Sequence, residues 1–220
     1  MIAENLKSVT QRITRCCEKS GRPANEITLI CVTKEATIED ASEAVRLGAV
    51  NLGENRVQEL VSKHKAIGDK ALWHLIGHLQ TNKVRDAVGI ASLIHSVDSD
   101  RLAKEIDKEA AKLGKVQDIL IQVNVSGEAS KFGIAPEHLS QLLKEVSLYR
   151  NIAVKGLMTI APEAEDIEKV RPFFHKLREL KDRAGLQLLS MGMTNDFEIA
   201  IEEGSDIVRI GRAIFGWDRS

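Results

Sequence analysis

Eight short β-rich runs, each followed by a polar turn and an amphipathic segment, recur along this chain and constrain its fold more than any other feature. The runs lie at 28–32, 49–52, 72–76, 92–96, 118–123, 153–157, 187–190 and 206–210. Helical spacing fills the intervals at 38–47, 56–66, 83–88, 100–113, 136–148, 165–184 and 197–203. Thr37, Asp98 and Ser99 stand where helix N-caps are needed, Pro136 at a first turn, and Gly48, Gly114, Gly185 and Gly204 just past helix ends. Strict alternation of this kind predicts a parallel sheet, and eight units predict an α/β fold closed as a (β/α)8 TIM barrel in preference to an open doubly wound sheet. An open sheet that binds a dinucleotide carries glycines after its first strand, where this chain reads TKEATIED. Residues 2–19 place Ile2, Leu6, Val9 and Ile13 at helical spacing, an extra N-terminal helix ahead of a barrel spanning 27–216. The expectation is one domain over 1–220.

Charge excludes several partners. With 31 basic against 32 acidic residues and the lysines interleaved with glutamates, there is no basic face for nucleic acid or an anionic membrane. No apolar run approaches the roughly 18 residues of a spanning helix, and the N-terminus lacks a leader pattern, so a cytoplasmic protein is expected. Cys16, Cys17 and Cys31 have no pairing or metal-ligand spacing and read as reduced thiols.

The stretch ITLICVTKEAT, residues 27–37, ends a buried strand on Lys34. A lysine there either snorkels to water or presents an amine that desolvation makes nucleophilic towards a carbonyl. In a closed barrel the active site is built from loops after the strand C-termini. Those positions hold Lys34; Glu54 and Asn55; Gly77, His78 and Gln80; Ser96 and Asp98; Asn124 and Ser126; Met158 and Thr159; Met191 to Asp196; and Arg209, Gly211 and Arg212. The last two loops are where such barrels often keep a phosphate. Met191-Gly192-Met193-Thr194 offers a glycine turn and a hydroxyl, and Gly211-Arg212 a close approach and a helical turn. A lysine after strand one facing this cradle across the rim is the arrangement an aldehyde phosphate cofactor needs. Arg209 then either points inward at the cofactor ring or pairs with a carboxylate at the rim.

Together with that lysine, GEN at 53–55, WHLIGHLQTNK at 73–83, VKGLMTI at 154–160 and SMGMTNDFEIAIEEGSDIVRIGRAIFG at 190–216 resemble the pyridoxal phosphate homeostasis proteins. The resemblance covers nearly the whole chain. It implies a fold-type III barrel similar to the N-terminal domain of alanine racemase, with pyridoxal 5'-phosphate (PLP) as internal aldimine on Lys34. It further implies that Asn55 lies near the cofactor, Met191 and Thr194 in the strand-seven loop, Arg209 near the pyridine nitrogen, and Gly211 and Arg212 at the phosphate. Thr194 replaces a usual serine, Leu75 a more frequent phenylalanine, and Glu35-Ala36 follow the lysine where neutral residues or proline are more familiar.

Other constellations are weaker. His74 and His78 have a helical metal spacing, but Gly77 interrupts it and the run reads as a strand leaving into a loop, so no metal is expected. No G-x-S-x-G elbow is present, and Lys131 is either a second amine near the mouth or a mobile surface lysine. A racemase of this fold needs a second acid–base group, and the only tyrosine, Tyr149, falls at the end of a helix on the far side of the barrel. The expectation is a monomeric PLP carrier without robust catalysis, supplying PLP-dependent apoenzymes. The alternatives are a PLP-dependent amino-acid racemase or decarboxylase, and a cofactor-free sugar-phosphate enzyme.

Overall fold

The computed structural model describes residues 1–128 and 130–216. Ala129 and the last four residues of the expected 1–220 domain lie outside the described residues.

Eight parallel strands close into a barrel in sequence order: β1 (Thr28–Val32), β2 (Asn51–Glu54), β3 (Leu72–Leu75), β4 (Leu93–Val97), β5 (Gln117–Gln122), β6 (Ile152–Met158), β7 (Leu188–Ser190) and β8 (Ile207–Ile210). After a leading helix α1 (Ile2–Ser20) come α2 (Ile38–Arg46), α3 (Val57–Ile67), α4 (Val84–Ile90), α5 (Asp100–Lys112), α6 (Leu139–Val146), α7 (Arg171–Arg183), α8 (Phe197–Glu202) and α9 (Arg212–Phe215). Successive strand residues point to opposite faces. One set, including Cys31, Leu52, Leu75, Ile94, Leu189 and Met191, joins the helices in the main core. The other, including Ile30, Val32, Ile76, Leu93, Leu120, Met158 and Ile207, fills the barrel. Helix α1 packs on α8 and α9: Arg12 pairs with Glu198 at 3.1 Å, and Asn5 donates to the Ile214 carbonyl at 3.0 Å. No helix among the described residues is long and apolar enough to cross a membrane.

Several boundaries differ from the sequence reading by one to six residues, and two of them have a clear local cause. Strand two begins at Asn51, two residues late, because Ala49 is still closing α2: its N–H reaches back to the Ala44 carbonyl at 3.0 Å, while Gly48, at φ 96°, turns the chain. The helix expected over 165–184 starts at Arg171, since Pro172 lacks an N–H and fits only the first turn; a 3-10 turn, Ile167–Val170, precedes it.

Inside the barrel, not every side chain is apolar. His74 Nε2 meets Asn51 Oδ1 at 3.0 Å, His74 Nδ1 meets His95 Nε2 at 3.1 Å, and His95 Nδ1 meets Ser190 Oγ at 2.9 Å. Burial pushes the His74 pKa down to about 4 and that of His95 well below its ordinary value, so both rings are neutral at pH 7.

Gly156 pairs with Leu188 across β6 and β7: a Cβ there would lie 1.9 Å from the Leu188 carbonyl oxygen, which is backbone and cannot step aside. Gly156→Ala is expected to lower stability by about 1–3 kcal/mol, read as a lower urea midpoint. The histidines add a pH dependence. An unfolded imidazole binds protons below about 6.5 while folded His74 resists them, so stability fully present above pH 6.5 is lost as pH falls towards 4. Between pH 7.5 and 5 His74 alone accounts for a loss of about 2 kcal/mol, and this pH-dependent loss shrinks in His74→Asn when unfolding is followed at both pH values.

Candidate functional site

A cleft of about 690 Å³ opens at the C-terminal ends of the strands. Its wall gathers Lys34, Asn55, Thr194, Arg209, Gly211 and Arg212, six of the seven residues expected from sequence. They come from the C-terminal ends of four strands, β1, β2, β7 and β8, and the segments that follow them.

Lys34 follows β1 on the inward-facing parity of Ile30 and Val32. Its side chain is 37% exposed, with Nζ 3.6 Å from Glu35 Oε1, so the amine stands at the mouth of the barrel with part of its side chain in water. The residue before it is anchored firmly. Thr33 donates its hydroxyl to Glu54 Oε1 at 2.5 Å, Lys63 Nζ bonds the same oxygen at 2.8 Å, and Lys63 also donates to the Thr33 carbonyl. Glu54 and Lys63 are both buried, and burial raises the Glu54 pKa against the opposing pull of Lys63 and Thr33. Glu54, expected at the rim, is therefore a strand residue facing the helix layer, where it holds the backbone beneath Lys34. The shift of β2 by two residues accounts for this.

Asn55 is brought in by a close backbone approach. A Cβ on Gly77 would fall 2.2 Å from the Asn55 carbonyl oxygen, so the glycine of the WHLIGH run lets the β2 and β3 loops touch.

Arg209 is 4% exposed and points into the barrel, not to a carboxylate at the rim. Its guanidinium donates to Ser190 Oγ at 2.6 Å and to the Thr159 carbonyl at 2.8 Å. Burial lowers its pKa to about 10, partly offset by the field of Asp196, which leaves the side chain cationic at neutral pH.

The β7 and β8 loops are stapled together. Arg212 donates to Asn195 Oδ1 at 2.7 Å, Thr194 Oγ1 lies 3.5 Å from the Ala213 N–H, and the Arg209 N–H bonds the Gly192 carbonyl at 3.0 Å. Asp196 accepts the Met193 N–H and sets the turn. Arg212 and Ala213 open α9, where backbone N–H groups have no intrahelical acceptor.

Several expectations change. Met191 does not line the cleft: on β7 parity its side chain is fully buried between sheet and helices, its N–H bonds the Ile207 carbonyl, and its own carbonyl accepts the Ser205 hydroxyl. Met193 takes its place at the wall. Lys34 and the β8 loop do not face each other across the rim; closure makes β1 and β8 hydrogen-bonded neighbours, with Ile30 beside Arg209. Lys131 is bonded to the Ala161 carbonyl at 3.0 Å and paired with Glu128, and its side chain does not line this cleft. Asn124 orders its own loop through the Glu128 and Lys131 carbonyls. His78 lines the cleft as expected and stacks on Phe132 with ring centroids 4.1 Å apart.

Sequence reasoning missed Phe132, Gln122, Ile160 and Glu163 on the wall, and Ser190 and His95 behind Arg209. Alternation puts Ser190 beside Met158 and His95 two residues after Leu93, on the barrel-filling face. The strand-end residues named from sequence, Ser96 and Met191, have the other parity, so only the register of the closed sheet shows Ser190 and His95 as inward. Among the described residues no group of three or more His, Cys, Asp or Glu is placed to hold a metal ion. The donor set consists of one amine, one buried guanidinium, a hydroxyl and helix-start N–H groups. It fits a ligand that carries both a reactive carbonyl and a phosphate.

Similarity to known proteins agrees with this geometry. Residues 5–218 match the family described as alanine racemase, N-terminal domain. A pyridoxal phosphate homeostasis protein of Aquifex aeolicus is 48% identical, over 97% of this chain and 96% of its own length. Among solved structures, a protein from Bifidobacterium adolescentis superposes with a TM-score of 0.91 at 35% identity, over 97% of this chain and 94% of its own. PipY of Synechococcus elongatus, solved with PLP bound, gives a TM-score of 0.84 at 34% identity, over 98% and 100%. With its barrel closed in strand order and these relatives matched along nearly its whole length, the chain belongs to the alanine racemase N-terminal domain family and, within it, to the pyridoxal phosphate homeostasis proteins.

Proposed function

We propose that this protein binds PLP reversibly through a Schiff base on Lys34 and acts in cytoplasmic PLP homeostasis, holding the reactive aldehyde and releasing it to PLP-dependent apoenzymes. The observation that carries the reading is the single cleft in which Lys34, Asn55, Thr194, Arg209, Gly211 and Arg212 meet. PLP bound to PipY supports the choice of ligand. When bound, the cofactor supplies an aldehyde carbon that takes an amine with loss of one water.

This chain's residues then divide the work. Lys34 provides the amine at an open mouth, which favours exchange. The N–H groups at the start of α9, with the Thr194 hydroxyl and the Arg212 side chain, hold the phosphate. Arg209, a donor that stays charged, would keep a pyridine nitrogen beside it unprotonated, and this weakens the ring as an electron sink. Asn55 steadies the ring from the β2 side.

Carriage is favoured over turnover by where the tyrosine lies. Tyr149 Oη donates to Asp100 Oδ1, the first residue of α5, at 2.7 Å, away from the cleft wall, and that bond raises the phenol pKa to about 12. His78 and Glu163 on the wall give the racemase or decarboxylase reading its one structural support.

The absorption spectrum of the protein with PLP, before and after borohydride, tests the assignment. The violet band of a lysine-bound aldehyde is expected, followed by covalent trapping after reduction; Lys34→Ala is expected to lose both. Equal trapping by the variant would place the attachment elsewhere. Arg209→Gln is expected to weaken PLP binding by about 1.5–3 kcal/mol, measured by equilibrium titration. Robust Lys34-dependent turnover of an amino acid, well above that of free PLP, would overturn the carrier reading.

A further inference from the structure

Barrel interiors are ordinarily filled by branched aliphatic side chains, and apolar residues of similar shape would serve packing at least as well as a hydrogen-bonded polar column. Here β2, β3, β4, β7 and β8 each contribute an inward polar group to one continuous line that ends on the cleft's arginine. We propose that Ser190, His95 and His74 are positioning residues, a one-way hydrogen-bond chain anchored on Asn51 that holds the Arg209 guanidinium in a single orientation at the wall of the cleft.

The asparagine end fixes the direction of every bond. A serine hydroxyl that accepts from an arginine can still either donate or accept once more, whereas the Asn51 oxygen only accepts. An arginine donates only, so Ser190 Oγ accepts from Arg209 at 2.6 Å. The serine hydroxyl has one proton left to give, and His95 Nδ1 is 2.9 Å away. A neutral His95 that accepts at Nδ1 carries its proton on Nε2, which donates to His74 Nδ1 at 3.1 Å. His74 in turn carries its proton on Nε2 and donates to the Asn51 oxygen at 3.0 Å. Reading from the asparagine, whose oxygen only accepts, assigns the same protons. No member is left with a competing partner of the wrong polarity.

Two consequences follow for Arg209. One guanidinium nitrogen is tied to Ser190 and the other terminal nitrogen to the Thr159 carbonyl, which pins the plane of the group at two corners. Among the described residues no carboxylate lies within ion-pair distance of it, so its orientation depends on these neutral acceptors. The chain also continues below the arginine to Asn51, which lines a separate cavity of about 820 Å³ beneath α1; the anchor therefore lies at the opposite end of the barrel from the ligand.

The chain itself is tested without any cofactor. In the nitrogen-15-labelled full-length protein at pH 7, His74 and His95 are expected to be neutral with the proton on Nε2, and the Arg209 Nε–H, assigned by its loss in Arg209→Lys, to exchange slowly with water. Ser190→Ala is expected to speed that exchange, and Ser190→Thr, which keeps the hydroxyl, to restore it. A charged imidazole, a proton on Nδ1, or an Arg209 resonance indifferent to Ser190→Ala would overturn the proposal. If Ser190→Ala does not fold, His95→Asn breaks the chain one link lower and must give the same Arg209 signature.

The consequence for ligand binding rests on the PLP reading above. Ser190→Ala should bind PLP about tenfold more weakly, with Ser190→Thr within about twofold of the parent. Equal affinity of Ser190→Ala and the parent would sever the chain from the cleft. A parent protein that does not bind PLP at all would count against the proposed function alone, because the imidazole and arginine signals are read in its absence.

Discussion

Closure of the parallel sheet is the constraint on which everything else rests. A parallel strand at an open edge leaves its N–H and C=O groups unpaired; pairing β1 with β8 removes both edges at once. The same pairing makes the first and last loops of the sheet neighbours. Lys34 and Gly211 are 177 residues apart in sequence and share one wall only because Ile30 lies beside Arg209 in the ladder. Without closure there is an amine on one side and an anion cradle on the other, with nothing to bring them to one ligand.

Around that ring the polar groups separate by face. The helix-side layer holds Glu54, Lys63 and the Thr33 hydroxyl, an ion pair and hydrogen bonds buried under the Lys34 loop. The inner layer holds the neutral line from Asn51 to Ser190 under Arg209. Lys34 and Arg209, two of the cationic side chains at the cleft, thus each have a polar support directly behind them. The supports differ in kind: charged beneath the amine, uncharged beneath the guanidinium. A neutral support leaves the full positive charge of Arg209 directed at the cleft, whereas a carboxylate in the same place would cancel it.

The placement of the tyrosine and of the lysine bears on the proposed function. The tyrosine hydroxyl is engaged by Asp100 at the start of α5, and the lysine stands at an open mouth with part of its side chain in water. On the proposed function, such a site would hold a phosphate handle and a ring while leaving the link at Lys34 accessible to exchange.

The amino-acid sequence by itself determined the order and type of the elements, because hydrophobic periodicity and helix caps are local properties. It also marked Lys34, Arg209 and the two glycine-bearing loops, since residues at strand ends can be found by counting. Boundaries failed where a local interaction outweighed the pattern, at Ala49 with its bond back into α2 and at Pro172 inside an apparent helix. Tertiary structure alone decided which face each residue served. A register offset of one residue exchanges inside for outside, and that is why Met191 went to the core and Ser190 to the arginine. It alone also decided which loops were neighbours. The pairing of β1 with β8, and the histidine line across four strands, are contacts between distant residues whose partners are chosen by the closed sheet and leave no periodic trace in the chain.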